Sequence, residues 1–184
     1  MQPDLLIKQV QHASALQRAF FTPLDWRLLR HCPIPVYLLG EGDHALPRKV
    51  VAAVDASNTL AQDSELNERI IQQAYSLAIQ CEAELHLLYA CDISTLYLGD
   101  PGGGGLTLSD LDRQLRKGHE KTFLMLADRY GVPADRRHFI EGHPVAVLNA
   151  FADEQHVDVI VMGRVQSHGL DKFLGSTTEH ILYQ

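Results

Sequence analysis

Val157-Asp158-Val159-Ile160-Val161-Met162-Gly163 is the stretch that decides the fold. Its apolar, β-branched run ends on a glycine, the pattern of a strand buried on both faces in a parallel sheet. Further on, Gly175-Ser176-Thr177-Thr178-Glu179 opens a helix whose first turn carries hydroxyls. A helix start leaves backbone N–H groups unpaired at the positive end of the dipole, so strand, loop and helix together outline a phosphate site. The same residues serve a plainer purpose equally well: Ser176 or Thr177 as N-cap, with Glu179 adding favourable charge.

Working back towards the N-terminus, strands and helices alternate. Lys49 to Val54 is a Val-rich run that reads as a central strand, with Asp55 at its carboxyl end. From Ser64 to Cys81, apolar residues recur every three or four positions, with Glu65 and Glu68 early, which predicts an amphipathic helix. Leu85 to Tyr89 is the next strand. The four glycines Gly102 to Gly105 mark a loop, and the helix after it is stopped near Tyr130 by Gly131 and Pro133. Arg137 to Ile140 and Val145 to Asp153 supply a third strand and a third helix before the strand at 157–162. The order predicts an α/β fold, a doubly wound parallel sheet with helices on both faces. Ligands of such sheets bind beyond the strand carboxyl ends at a topological switch point, where Asp55 and Gly163 are both expected.

Composition narrows the classes. The formal charge of −7 argues against a general nucleic-acid or anionic-membrane surface. No apolar run reaches the roughly 18 residues of a membrane span, and Met1-Gln2-Pro3-Asp4 lacks a basic leader, so the expectation is a cytoplasmic protein with no membrane partner. Cys32, Cys81 and Cys91 are widely spaced, which predicts free, mostly buried thiols. The ten histidines show no i, i+4 pair, and no metal site is expected. Glu141 and Asp158 read as turn and strand-edge polarity. No nucleophile elbow or triad can be assembled, so no catalytic residue is assigned and the chain reads as a non-enzyme.

Val-Ala-Ala-Val-Asp-Ala-Ser at 51–57, Glu-Gly-His-Pro at 141–144, and Val-Ile-Val-Met-Gly-Arg with Gly-Ser-Thr-Thr-Glu-His-Ile-Leu at 159–182 together resemble the universal stress protein family. The resemblance covers nearly all of 48–184. Residues 1–40 resemble the closing strand, helix and strand of another such domain, in which Thr22, Pro23 and Asp25 suit the N-cap, N1 and N3 positions of a short helix. The organisation implied is a first-domain remnant at 1–40, a linker at 41–48 and a second universal stress domain at 49–184, as in tandem members of the family. The implied strand order is 3-2-1-4-5, with the last strand of the second domain missing. The open edge implies pairing with a tandem domain or a second copy, and Pro35 to Leu39 is a candidate substitute edge strand.

The resemblance also implies a nucleotide site. In ATP-binding members an acid follows the first strand and a Gly-x2-Gly-x9-Gly-(Ser/Thr) loop wraps the phosphates. Asp55, Ala56 and Ser57, then Met162, Gly163 and Arg164, then Gly175, Ser176 and Thr177 are the matching positions here. The second glycine is replaced by Gln166, and eight residues instead of nine separate it from Gly175. A side chain where backbone must approach a phosphate, and a loop one residue short, both re-aim the cradle. The reading is therefore a non-catalytic stress-protective and regulatory module acting through its surfaces. Its alternative is an ATP-binding, nucleotide-responsive switch. A slow hydrolase would need a metal and a water-positioning acid, for which only Asp55 presents itself.

Overall fold

The structure, a computed structural model, describes residues 4–9, 24–39, 45–57, 61–92 and 108–163. The chain divides into two compact units, and the described residues of the first lie within 4–45, those of the second within 46–163.

In the first unit, β1 (Leu6–Gln9) and β2 (Val36–Leu39) pair in parallel, with Leu6 opposite Val36 and Gln9 opposite Leu39. The helix α1 (Leu24–His31) lies between them in sequence. Pro35, which lacks an N–H, contributes its carbonyl to the Leu6 N–H at 3.0 Å. Thus the segment 36–39 pairs with β1 within its own unit.

The second unit is built from β3 (Lys49–Ala53), α2 (Ala61–Cys81), β4 (Glu84–Cys91), α3 (Leu108–Arg129), a short 3-10 turn (Ala134–Arg136), β5 (Arg137–Glu141), α4 (Pro144–Gln155) and β6 (Val159–Met162). Its four strands are all parallel and ordered β5-β4-β3-β6. In order of appearance within the unit this is third, second, first, fourth. The first strand sits inside because Val50, Val51 and Ala52 are fully buried, and such two-sided apolarity suits only a central parallel strand.

Strand alternation sorts the helices onto two faces. Val51 and Leu88 pack with Val147, Leu148 and Phe151 of α4. On the opposite face Tyr89 and Phe139 meet Phe123 of α3, with ring centroids 5.5–6.4 Å apart. An ion pair from Arg129 of α3 to Glu68 of α2 ties the two helices on that side. Gly131, at φ +62°, ends α3 in the left-handed conformation that glycine adopts without a Cβ penalty. Pro144 begins α4 one residue earlier than its apolar periodicity suggests, since a proline in the first turn forfeits no helical bond.

The carboxylate of Asp158 explains the register at the other end of the sheet. It accepts the N–H groups of Arg48 and Lys49, both at 2.8 Å, fixing the start of β3 against the start of β6. The expected mostly buried thiols hold only for Cys91. Cys32 and Cys81 are half-exposed, each lying close to an element end where the core gives out. Among the described residues no helix is long and apolar enough to cross a membrane.

Candidate functional site

The carboxyl ends of β3 and β6 meet where the strand order reverses. Ala53 is the register partner of Met162, so Asp55 and Gly163 leave adjacent strands at the switch point, the place where open α/β sheets form their ligand crevice. Asp55, Ala56, Ser57, Met162 and Gly163 are therefore gathered at one end of one sheet. Arg164, Gly175, Ser176 and Thr177 lie outside the described residues, as does the glycine run at 102–105.

The turn after β3 is closed on itself. One Asp55 carboxylate oxygen, Oδ1, accepts both the Ser57 N–H at 2.8 Å and the Ser57 hydroxyl at 2.6 Å, a side-chain-to-backbone turn typical of aspartate. Ala56 between them is buried. The Asp55 peptide is gripped from α2, where Asn67 accepts the Asp55 N–H at 3.0 Å and donates its amide to the Asp55 carbonyl at 2.6 Å. Asn67 is only 7% exposed, and these two bonds satisfy it.

Gly163 has its own reason to be glycine. A Cβ built there would lie 2.8 Å from three carbons of the Leu66 side chain, closer than real contacts allow. Leu66 and Asn67 are consecutive on α2, so one helical turn packs against the end of β6 and hydrogen-bonds the end of β3.

A second group of polar residues lies beside this turn, on the α3 face of the sheet. The Tyr89 hydroxyl is 3.1 Å from His119 Nδ1 on α3, and the Cys91 thiol is 3.7 Å from the same nitrogen. Burial raises the Tyr89 hydroxyl well above its ordinary value, and the nearby Cys91 and Asp55 push the same way, while a contact with Ser57 opposes them. Burial also pushes the Cys91 thiol up. Both groups are thus protonated donors at neutral pH. Neither is an activated nucleophile, because reactivity requires the thiolate.

On the α4 face, His86 Nδ1 lies 3.0 Å from His138 Nε2, the rings are stacked, and His138 packs on Phe151 at 4.5 Å between centroids. Burial lowers the pKa of both; His138 is pushed down to about 4, with charge repulsion from His86 and Lys49 adding to the effect. The pair is a neutral hydrogen-bonded unit within the fold. Among the described residues no group of three or more His, Cys, Asp or Glu side chains is arranged to hold a metal ion. Glu141 pairs with Arg116 on the surface.

Away from the switch point, a groove of about 390 Å³ runs between α2 and α3 beside the start of β4, walled by Tyr75, Ile79, Tyr130, Val132 and Pro133. Its basic side chain, Arg136, is taken by an ion pair with Glu84.

The apolar periodicity of 64–81 puts Leu66 on the face that packs on the sheet, as found, whereas the roles of Asn67, Tyr89 and His119 were missed. The one usable signal was the alternation of Tyr89 and Cys91, which puts both on one face of β4.

Residues 47–184 match the profile of the Universal stress protein family. The chain is 31% identical over 186 aligned positions to a universal stress protein E homolog of Haemophilus influenzae, and 32% identical over 187 to universal stress protein E of Photorhabdus laumondii. Each alignment covers 97% of this chain and 58% of the relative, so the chain spans little more than half the length of these relatives. The crystal structure of a functionally unknown protein from Pseudomonas aeruginosa PAO1 superposes with a TM-score of 0.77 at 28% identity, over 98% of this chain and 59% of that one. With the family profile matched across the whole second unit and the parallel sheet in place, the chain belongs to the universal stress protein family.

Proposed function

We propose that this chain is a non-catalytic stress-protective and regulatory module that acts through its protein surfaces. The observation that supports the reading is that groups at the switch point are already engaged by the protein's own residues. Asp55 Oδ1 is engaged by Ser57, the Asp55 peptide is engaged by Asn67, and Leu66 lies on Gly163. A ligand that used Asp55 Oδ1 or approached the Gly163 backbone from the Leu66 side would have to displace Ser57 or Leu66 first, which weakens its net binding. The sequence departure at Gln166 and the shortened spacing to Gly175 act in the same direction. In this reading residues 1–40 belong to one universal stress domain and 49–184 to a second, joined by 41–48. The partners are a tandem domain or a second copy meeting a sheet edge, in the cytoplasm, without nucleic acid or membrane.

The second reading is an ATP-responsive switch, favoured by the adjacency of Asp55 and Gly163 across the strands where the order reverses. In it Asp55, with Ala56 and Ser57, lies near the adenine and ribose, while the loop that runs from Met162, Gly163 and Arg164 to Gly175, Ser176 and Thr177 wraps the phosphates.

Calorimetric titration of ATP, with and without Mg²⁺, separates the two. The surface reading expects no saturable heat and no rise in melting temperature. Micromolar binding without phosphate release establishes the switch, and release abolished by Asp55→Ala establishes a hydrolase and removes both.

A further inference from the structure

Two helices of the second unit end at one groove. At the end of α2 the Glu82 N–H bonds the Ile79 carbonyl at 3.3 Å and the Ala83 N–H bonds the Ala78 carbonyl at 2.8 Å. At the end of α3 the Gly131 N–H bonds the Asp128 carbonyl at 3.1 Å and the Val132 N–H bonds the Ala127 carbonyl at 3.0 Å. Both turns pass through the left-handed conformation, with Gly131 at φ +62° and Glu82 at φ +55°. Glutamate adopts it against its own Cβ, where glycine would be free. Residues of both turns line the groove of about 390 Å³, so the negative ends of two helix dipoles border one apolar trough.

The charged residues lining the groove are Glu82 and Arg136. Arg136 is engaged by Glu84 at 2.8 Å, whereas the exposed Glu82 carboxylate has no partner among the described residues. Tyr75 and Ile79, one helical turn apart on α2, are 52% and 59% exposed, and Tyr130 and Pro133 form the wall on the α3 side. A small molecule is oriented by several polar groups pointing inward, and the floor side chains, Ala78, Ala83 and Leu85, supply none. A protein segment is oriented by its own backbone, and exposed tyrosine beside an apolar trough is the composition of an interface centre. We propose that this groove docks an apolar segment of a partner protein that carries an arginine, whose guanidinium meets Glu82 and the two helix ends while its apolar neighbours enter beside Ile79 and Tyr130. Arginine suits the place because it pairs with a carboxylate and stacks on tyrosine rings, as Arg129 does over Tyr130 at 5.9 Å. The chain's charge of −7 draws such a segment from a distance. The proposal rests on the reading that the module acts through its surfaces, and it names the surface and the chemistry of the partner.

The test is fluorescence anisotropy with a labelled peptide of alternating leucine and arginine, beside a leucine–glutamate and a glycine–arginine peptide, with ¹H–¹⁵N spectra to follow the Gly131 and Val132 amides. The wild type is expected to bind the leucine–arginine peptide saturably at micromolar concentration, with shifts at both amides, and each control peptide at least tenfold more weakly. Ile79→Arg, at an exposed position, is expected to abolish binding by filling the trough with like charge. Glu82→Gln is expected to weaken it about fivefold, the scale of a partly exposed ion pair. Glu82→Gly is expected to weaken it as much, and because glycine eases the left-handed turn, that loss cannot come from unfolding. Glu154→Gln removes the same charge from an exposed position on α4 and is expected to leave binding unchanged. A folded wild type without saturable binding overturns the proposal. So does binding that Ile79→Arg leaves intact, or that Glu154→Gln weakens as much as Glu82→Gln. ATP titration judges the surface reading separately. A chain that ignores both peptide and ATP loses the groove and keeps that reading, whereas a chain that binds both keeps the groove and loses the reading.

Discussion

Asn67 holds Asp55 by both ends of its backbone, accepting the N–H at 3.0 Å and donating to the carbonyl at 2.6 Å. A side-chain amide thus takes the place that another strand would occupy once the β3 ladder has run out. Asn67→Ala removes both bonds and opens a polar gap beneath the Asp55 turn. The expected cost is about 1–3 kcal/mol, since buried polar partners are left without replacement. Asn67→Asp keeps the acceptor but sets a carboxylate oxygen against the Asp55 carbonyl in a buried place, so a loss at least as large as that of the alanine variant is expected. Urea denaturation gives the stabilities. Amide exchange should accelerate at Asp55 and Ser57 in the alanine variant, and unchanged exchange there would remove the clamp from the account.

Gly163 and Leu66 make a second pair whose coupling can be measured. Gly163→Ala places a methyl group 2.8 Å from Leu66 carbons, so the half-buried Leu66 side chain must shift, and a cost of about 1 kcal/mol is expected. In a Leu66→Ala background the added methyl meets open space, and the same substitution should cost far less. A double-mutant cycle is expected to return a coupling close to that cost, about 1 kcal/mol. Additive effects would mean that residue 163 is glycine for some other reason.

The frame of the second unit was legible in sequence because most of its strands are built on short apolar runs and its helices carry periodic faces. Val50, Val51 and Ala52 could only be central, and Asp55 and Gly163 could only be strand-end residues. What remained hidden depends on which residues face one another across the fold. Asn67 stands among Glu and Arg on a polar stretch of helix, where nothing local distinguishes a buried clamp from a solvated side chain. His86 and His138 are 52 positions apart, and only the pairing of Leu88 with His138 brings the two rings together. The start of β3 likewise depends on an aspartate more than a hundred residues later, at 158, whose role as a backbone acceptor has no sequence signature.

The cysteines should separate by reactivity. Cys91 is buried with its thiol pushed up, whereas Cys81 is half-exposed at the end of α2. A disulfide reagent at pH 8 is expected to label Cys81 in the native protein and to reach Cys91 only on unfolding, because the thiolate fraction and access are both suppressed there. Mass mapping of labelled peptides reads the order. Equal native labelling of Cys81 and Cys91 would contradict the packing of Tyr89 and His119 around the latter.

The histidine pair gives the fold a direction in pH. At neutral pH both rings are uncharged, one N–H is shared between His86 Nδ1 and His138 Nε2, and Phe151 covers the apolar side. Lys49 and Arg136 oppose added positive charge, while Glu84 and Asp135 partly offset them. In the unfolded chain histidine takes up a proton near its ordinary value of 6.5, whereas folded His138 resists until about 4. Between those values the unfolded state binds more protons, so the stability present above pH 6.5 is lost as the pH falls towards 4, and this contribution levels off below. The expected loss is about 2–3 kcal/mol over that window. His138→Gln keeps a hydrogen-bonding group beside His86 and removes the titration, so its stability should change less steeply across the same range. Denaturation midpoints at half-unit pH intervals, for both proteins, give the slope. Parallel profiles for the two would show that acid destabilisation arises elsewhere in the chain, since the one substitution removes the depressed group and its repulsion of His86 together.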